Sequence, residues 1–276
     1  MKTIGKFLPY IVVILTSILV VSIYLSISHQ KMAHKTYVFD RIYIDQPRVI
    51  VLESEENKDV FFGYNNFEIN EGVCYINKDT TICFAAIVQD STKQIESGFY
   101  PYSVVNNTYR KDQCLALFDL PNPYDFHQER VLAYNGFFSE SDDYITYTFY
   151  YFPDIIIFNK KGEYVDRIKT KDNVPSPSVI RYKNYFVFER KKAYNSNFAS
   201  FVYKDKIYVL SAQSISHLGK YLIDCYSFKS KEYLYSFYVS NAVEEENDYV
   251  NSLLMIGDTV TITTKNCKTI LKLNKD

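Results

Sequence analysis

The chain has 276 residues, with 31 basic and 32 acidic side chains, 27 Tyr, 20 Phe, no Trp, and only eight Gly and eight Pro. A formal charge of −1 removes the broad electrostatic attraction that nucleic acid or a polybasic membrane contact requires, so nucleic acid is not an expected partner. Abundant aromatic side chains with little Gly or Pro exclude a disordered chain and favour half-buried pleated surfaces.

In chain order, the first element is an uncharged run from Phe7 to Ile27. At 1.5 Å per residue, about 21 residues match a hydrocarbon core of about 30 Å. A cleaved signal peptide has a shorter apolar core and a small-x-small exit, and only Ser26 and Ser28 offer that here. The expected organisation is therefore a transmembrane anchor over residues 1–28, a polar stalk over 29–35 and one large domain over 36–276. Lys2 and Lys6 before the run face Lys31 and Lys35 after it, a slight bias that places the N-terminus in the cytoplasm and the domain on the periplasmic side of the inner membrane.

Past the stalk, short apolar and aromatic segments alternate with polar turns: Tyr37–Ile44, Val49–Leu52, Val73–Ile76, Ile82–Val88, Cys114–Leu120, Tyr144–Phe152, Ile155–Phe158 and Tyr164–Ile168, then Tyr185–Phe188, Phe198–Tyr203, Ile207–Ser211, Tyr221–Phe228, Tyr233–Val239, Leu253–Ile256, Thr259–Thr263 and Thr269–Leu273. Segments of four to nine residues with regular turn signals predict an all-β domain of low helix content. Of the five cysteines none forms a C-x-x-C pair, which leaves no zinc or redox motif. A two-residue turn at Lys78 and Asp79 sets Cys74 opposite Cys83 at a non-hydrogen-bonded position, where side chains approach most closely. That predicts a disulfide in an oxidising compartment, two buried thiols being the alternative.

Candidate binding residues follow from residue type. Tyr144–Phe152 is the densest aromatic run, and its Tyr147, Tyr150 and Tyr151 can stack on sugars or peptides if exposed, although sheet packing is the commoner use of such rings. On an extended strand Asp125, His127 and Glu129 project from one face as an acid-imidazole-acid group suited to metal binding or proton transfer; the preceding Pro121-Asn122-Pro123-Tyr124 instead favours a loop. Glu140, Asp142 and Asp143, and the acid run Glu244 to Asp248, lack the spacing of a calcium loop and are expected to be solvated turns. No nucleophile elbow surrounds His217 and no Gly-rich phosphate loop occurs, so no catalytic residue, metal or cofactor is expected.

A strand, polar turn, strand unit recurs at Ile155–Ile168, Leu222–Phe237 and Asp258–Leu273, with an inner-hairpin pattern at Ser200–Ser211. Phe158-Asn159-Lys160-Lys161-Gly162-Glu163-Tyr164-Val165, and Lys206-Ile207-Tyr208-Val209-Leu210 followed by Ile223-Asp224-Cys225-Tyr226-Ser227-Phe228, make residues 144–276 resemble the NHL- and TolB-like six-bladed propellers of envelope proteins in Bacteroidetes-type bacteria. That resemblance implies a propeller of five or six irregular blades, each of about 40 residues; a β-sandwich is the alternative fold. The expected function is a membrane-anchored, non-catalytic binding or sensor module that recognises an envelope protein, peptide or glycan. The alternative is a lactonase- or glycosidase-like hydrolase with carboxylates gathered from several blades around a central metal.

Overall fold

A computed structural model describes residues 16–22, 39–44, 49–56, 66–69, 72–77, 80–88, 95–103, 108–110, 113–117, 126–172, 174–190, 192–212, 220–240, 250–264 and 267–273. The chain divides into two units, Met1–Phe39 and Asp40–Asp276. In the first, residues 16–22 are helical (α1). Among the described residues no helix is long and apolar enough to cross a membrane, and the rest of the expected span over residues 7–27 lies outside them.

The second unit is built mainly of antiparallel strands, with one parallel pairing, Leu254 with Glu140, that joins two of its strand groups into an eight-stranded sheet. β1 (Val49–Glu56) comes first and is used last. A meander follows, of β2 (Asn66–Ile69), β3 (Gly72–Asn77), β4 (Thr80–Val88) and β5 (Ile95–Ser103), with the short β6 (Thr108–Tyr109) and β7 (Ala116–Leu117) both paired to β5. After α2 (His127–Ala133), β8 (Gly136–Glu140), β9 (Tyr144–Phe149), β10 (Asp154–Asn159) and β11 (Tyr164–Lys169) form a second meander. The hairpin β12 (Val179–Tyr182) and β13 (Tyr185–Phe188) is a sheet of its own. A third meander comprises β14 (Asn197–Tyr203), β15 (Lys206–Ser211), β16 (Lys220–Ser227) and β17 (Tyr233–Ser240). The fourth comprises β18 (Val250–Ile256), β19 (Thr259–Thr264) and β20 (Cys267–Leu273), and β1 adds to β20 as its fourth strand. Four-stranded meanders are the blade unit of a propeller, and the arrangement is propeller-like. The described residues hold four such meanders and one hairpin, against the five or six blades expected.

Side-chain alternation shows how the meanders stack. On β10, Ile156 and Phe158 join Tyr75, Phe84, Phe99 and Tyr147 in a core between the first and second meanders, whereas Ile155 and Ile157 join Val202, Ile207 and Val209 in a core between the second and third. A strand buried on both faces reads as a continuous apolar run, as Ile155–Phe158 does. β15 repeats the device, with Ile207 and Val209 on the second-meander side while Tyr208 and Leu210 join Val250, Val260, Ile262 and Leu271 of the fourth. Three successive inter-meander cores are a stack of leaves, unlike the single core of the two-sheet sandwich. Where β9 meets β14 the contact is polar: Thr146 Oγ1 donates to the Ser200 carbonyl at 2.8 Å, and Thr148 and Ser200 hydroxyls lie 2.7 Å apart.

Cys74 and Cys83 are register partners on β3 and β4, with Cα atoms 4.1 Å apart, and are joined by a disulfide. Closing this short loop restricts the unfolded chain, so the Cys74→Ala/Cys83→Ala double variant is expected to lose about 2 to 3 kcal/mol. Urea unfolding checks that figure, and finding both thiols free on labelling unreduced, denatured protein removes its basis.

Candidate functional site

The most ordered polar arrangement in the second unit is centred on Arg41. Asp172 follows β11, where the Lys171 backbone N–H donates to the Tyr226 hydroxyl at 3.2 Å. Asp224 lies mid-strand on β16, paired with Val209 and Ser236 on its two flanks. Onto the far edge of β17 comes an extended strap, residues 40–44, through one parallel bridge between Tyr43 and Ser236. The Ser236 N–H donates to the Ile42 carbonyl at 2.8 Å and the Ile44 N–H to the Ser236 carbonyl at 3.1 Å.

The strap drives its arginine into the blade. Arg41 Nε and Nη2 meet Asp224 Oδ1 and Oδ2 at 2.8 and 2.9 Å, a bidentate fork, and Nη2 also reaches Asp172 Oδ1 at 2.9 Å, Oδ2 at 3.1 Å and Ser211 Oγ at 3.1 Å. Such planar, charge-assisted pairing suits guanidinium and not ammonium. Side-chain exposures are 2% for Arg41, 0% for Asp172 and 1% for Asp224. Each carboxylate also accepts from a hydroxyl of the domain: Ser211 donates to Asp172 Oδ2 at 3.2 Å and Ser236 to Asp224 Oδ1 at 2.5 Å. Tyr233 closes the group, its hydroxyl 2.7 Å from Ser236 Oγ and accepting the Ile42 N–H at 2.9 Å.

One cation faces two buried carboxylates, and the acidities of Asp172 and Arg41 reflect it. Burial pushes the Asp172 carboxyl up to about 7; Arg41 opposes the shift and Asp224 adds to it. For Arg41, burial works downward, but hydrogen bonding and charge from Asp224, with the charge of Asp172, outweigh it and hold the guanidinium above its ordinary value. An acid whose pKa is raised on folding binds more protons in the folded state, so its contribution to stability is present below its unfolded value near 4 and is lost as pH rises through about 7. The urea midpoint of the wild type is expected to fall between pH 5 and pH 8, and Asp172→Asn to flatten that fall; equal slopes for both proteins remove Asp172 as the cause.

The second feature is an aromatic hairpin. In the β12–β13 register Val179 faces Phe188, Ile180 faces Val187, Arg181 faces Phe186 and Tyr182 faces Tyr185. One face is tied down: the Phe186 ring lies 5.5 Å from Phe126, the Phe188 ring 4.5 Å from Tyr151, and Val179 packs on the first-to-second-meander core. The opposite face presents Ile180, Tyr182 and Tyr185, with Tyr182 and Tyr185 exposed to 50% and 52%. Their rings stand 5.6 Å apart, and Lys183 Nζ sits 5.4 Å from the Tyr182 centroid.

The residues singled out from sequence are distributed differently. Tyr147 is fully buried, its hydroxyl donating to the Tyr134 carbonyl at 2.9 Å and its ring edge-on to Phe99 at 4.9 Å and Phe138 at 4.6 Å. It is a core residue and no ligand can reach it. Tyr150 and Tyr151 are partly buried against two different cores, with their rings edge-on at 6.3 Å. Of the acid-imidazole-acid group, His127 opens helix α2 rather than lying on an extended strand, and Glu129 Oε2 accepts the Phe126 N–H at 2.9 Å as a helix cap. Asp125 and the His127 side chain lie outside the described residues, as do His217 and residues 244–248. Glu140 is no solvated turn, since it ends β8 and holds Lys160 Nζ at 2.5 Å and the Tyr75 hydroxyl at 2.7 Å. Sequence reasoning missed Arg41, Asp172 and Asp224. Its available signal was an unmatched charge inside an apolar run, Arg41 in Tyr37–Ile44 and Asp224 in Tyr221–Phe228.

No protein-family model matches the chain, and no curated protein matches it. Among solved structures it is similar to the glutaminyl cyclase of Myxococcus xanthus, at 6% identity and a TM-score of 0.35, over 82% of this chain and 97% of that one. It is also similar to virginiamycin B lyase from Staphylococcus aureus, at 9% identity and 0.27, over 80% and 99%. A member of the duf4221 family from Bacteroides vulgatus matches at 9% and 0.29, over 78% and 60%. Scores this low carry no argument about activity, and the fold stands on the sheets themselves.

Proposed function

We propose that the chain is a membrane-tethered recognition module of the bacterial envelope, anchored through residues 7–27 with its propeller-like domain on the periplasmic side. There it binds an extended peptide, protein loop or glycan without covalent chemistry. The observation that carries this proposal is the outer face of the β12–β13 hairpin. A two-stranded hairpin is marginal by itself, and this one spends Val179, Phe186 and Phe188 on holding itself to the domain while leaving Ile180, Tyr182 and Tyr185 outward. Rigid amphipathic rings beside cationic Lys183 suit stacking on a sugar or peptide with hydrogen bonds from the phenol groups. The disulfide between Cys74 and Cys83 fits an oxidising compartment. On this proposal the meanders close into a ring, with β1 locking the last blade, as the NHL- and TolB-like resemblance implies.

The test is the full chain in mild detergent, applied to arrays of immobilised glycans and extended peptides, beside the Tyr182→Ser/Tyr185→Ser variant. The wild type is expected to retain a subset of probes and the variant to lose them at least tenfold at unchanged Tm. Equal retention by both proteins removes the hairpin as the binding surface.

A further inference from the structure

The strap and its pocket have the parts of a ligand and a receptor, although one chain supplies both. β17 is the outermost strand of the third meander, paired with β16 on one side only, and such an edge is a template for an added strand. On its other side the strap contributes two backbone hydrogen bonds, both to Ser236. Little main-chain pairing therefore holds residues 40–44, and the selectivity of the contact lies in two side chains. Arg41 supplies the fork to Asp224 and the contacts to Asp172, and Tyr43 stacks on Tyr238 of β17 with ring centroids 5.4 Å apart and planes 7° from parallel.

The receiving side has hydrogen bonds of its own besides those to the strap. Asp224 is fixed in the middle of β16 and accepts from Ser236, and Asp172 accepts from Ser211. Both carboxylates are thus held by the domain's own hydroxyls beside the position that the Arg41 guanidinium fills. Spaced oxygen pairs at that position match the planar donors of a guanidinium.

We propose that the β17 edge and the Asp172–Asp224 pair form a receptor site for an extended peptide of the form Arg-x-Tyr, which residues 41–43 fill in cis and which an arginine-bearing strand of another chain fills in trans. Strand addition to a sheet edge, with backbone bonds giving adhesion and an alternate side chain giving selectivity, is an established mode of peptide capture. The site is separate from the β12–β13 hairpin and does not rest on the function proposed for it, so either can fail alone.

The test uses the full chain in mild detergent with a site-specific protease sequence inserted between Gln46 and Pro47, which after cutting leaves the strap held by non-covalent contacts. A fluorescent synthetic peptide of residues 38–45 is expected to exchange into the cut protein saturably, while the same peptide with Arg41→Ala binds at least a hundredfold more weakly. An Asp224→Asn change in the cut protein is expected to abolish the difference between the two peptides. In parallel, uncut Arg41→Lys, which keeps the charge but loses the fork, is expected to admit the wild-type peptide at least tenfold more readily than the uncut wild type does. Equal uptake of the two peptides by the cut protein, or uptake by neither the cut protein nor Arg41→Lys, overturns the proposal.

Discussion

Arg41→Ala is expected to lower the unfolding free energy by about 3 to 5 kcal/mol, the usual cost of stripping one partner from a buried ionic group. Two carboxylates at 0% and 1% exposure are left facing each other, and neither can reach water without opening the blade. Arg41→Lys restores a charge but not the fork to Asp224, so it is expected to recover about half of the loss. The converse change is equally informative. Replacing the whole group at once, Arg41→Met with Asp172→Leu and Asp224→Leu, removes the desolvation of three charges together with their attraction, and such exchanges are often neutral or stabilising. Urea unfolding followed by circular dichroism measures all three. An Arg41→Ala loss under about 1 kcal/mol means that the carboxylates find another cation or a proton, and that the group does not hold the strap.

Tyr147→Ala is expected to cost about 3 to 5 kcal/mol, as large aromatic truncations in cores do. The ring is fully buried and lies within 4.6 to 5.9 Å of Phe138, Phe99, Phe149 and Phe84, and the cavity left behind spans the boundary of the first two meanders. Tyr147→Phe keeps that packing and removes only the bond to the Tyr134 carbonyl, for an expected loss of about 1 kcal/mol. The contrast matters because Tyr147 belongs to the run that sequence offers as a binding candidate, with sheet packing as the commoner use. A variant that unfolds early but, below its Tm, retains every probe that the wild type retains is the outcome expected of a core residue. Loss of probe retention at unchanged stability is the outcome that contradicts it.

Much of the sheet was legible because the strands carry their own signals. Ile155–Phe158, Phe198–Tyr203, Ile207–Ser211 and Tyr221–Phe228 are apolar runs closed by polar turns, and each is a strand within a residue or so of its expected bounds. Asn66–Ile69, Ile95–Ser103, Gly136–Glu140 and Val179–Tyr182 were not legible, since Gly, Pro, Ser and charged residues break their pattern and tertiary pairing overrides it. Gly136 shows the reason locally: a Cβ there would lie 2.3 Å from the Thr148 carbonyl oxygen and 2.8 Å from the Tyr147 ring, so the residue that weakens the strand signal is the one that lets β8 approach β9. The site was less legible than the fold. Arg41, Asp172 and Asp224 are far apart in sequence and meet only when the strap, the β11 exit and β16 are brought together, whereas His127 and Glu129 are close in sequence but lie on a helix, not on the extended strand that would align them. Residue spacing describes one element at a time, and the Arg41 group spans three.

The pairing of β1 with β20 has a consequence for the order of events during synthesis. β1 is made long before its partner, so an edge-ready strand waits with no complement while the intervening meanders are made. The first three meanders can condense as they emerge, but the fourth cannot until Cys267–Leu273 has been delivered. A nascent chain stalled before that point carries the unpaired β1 and a fourth meander without its last strand, the kind of open edge on which holdase chaperones act. Completion of the fourth meander is thereby a late step, separate from the condensation of the first three.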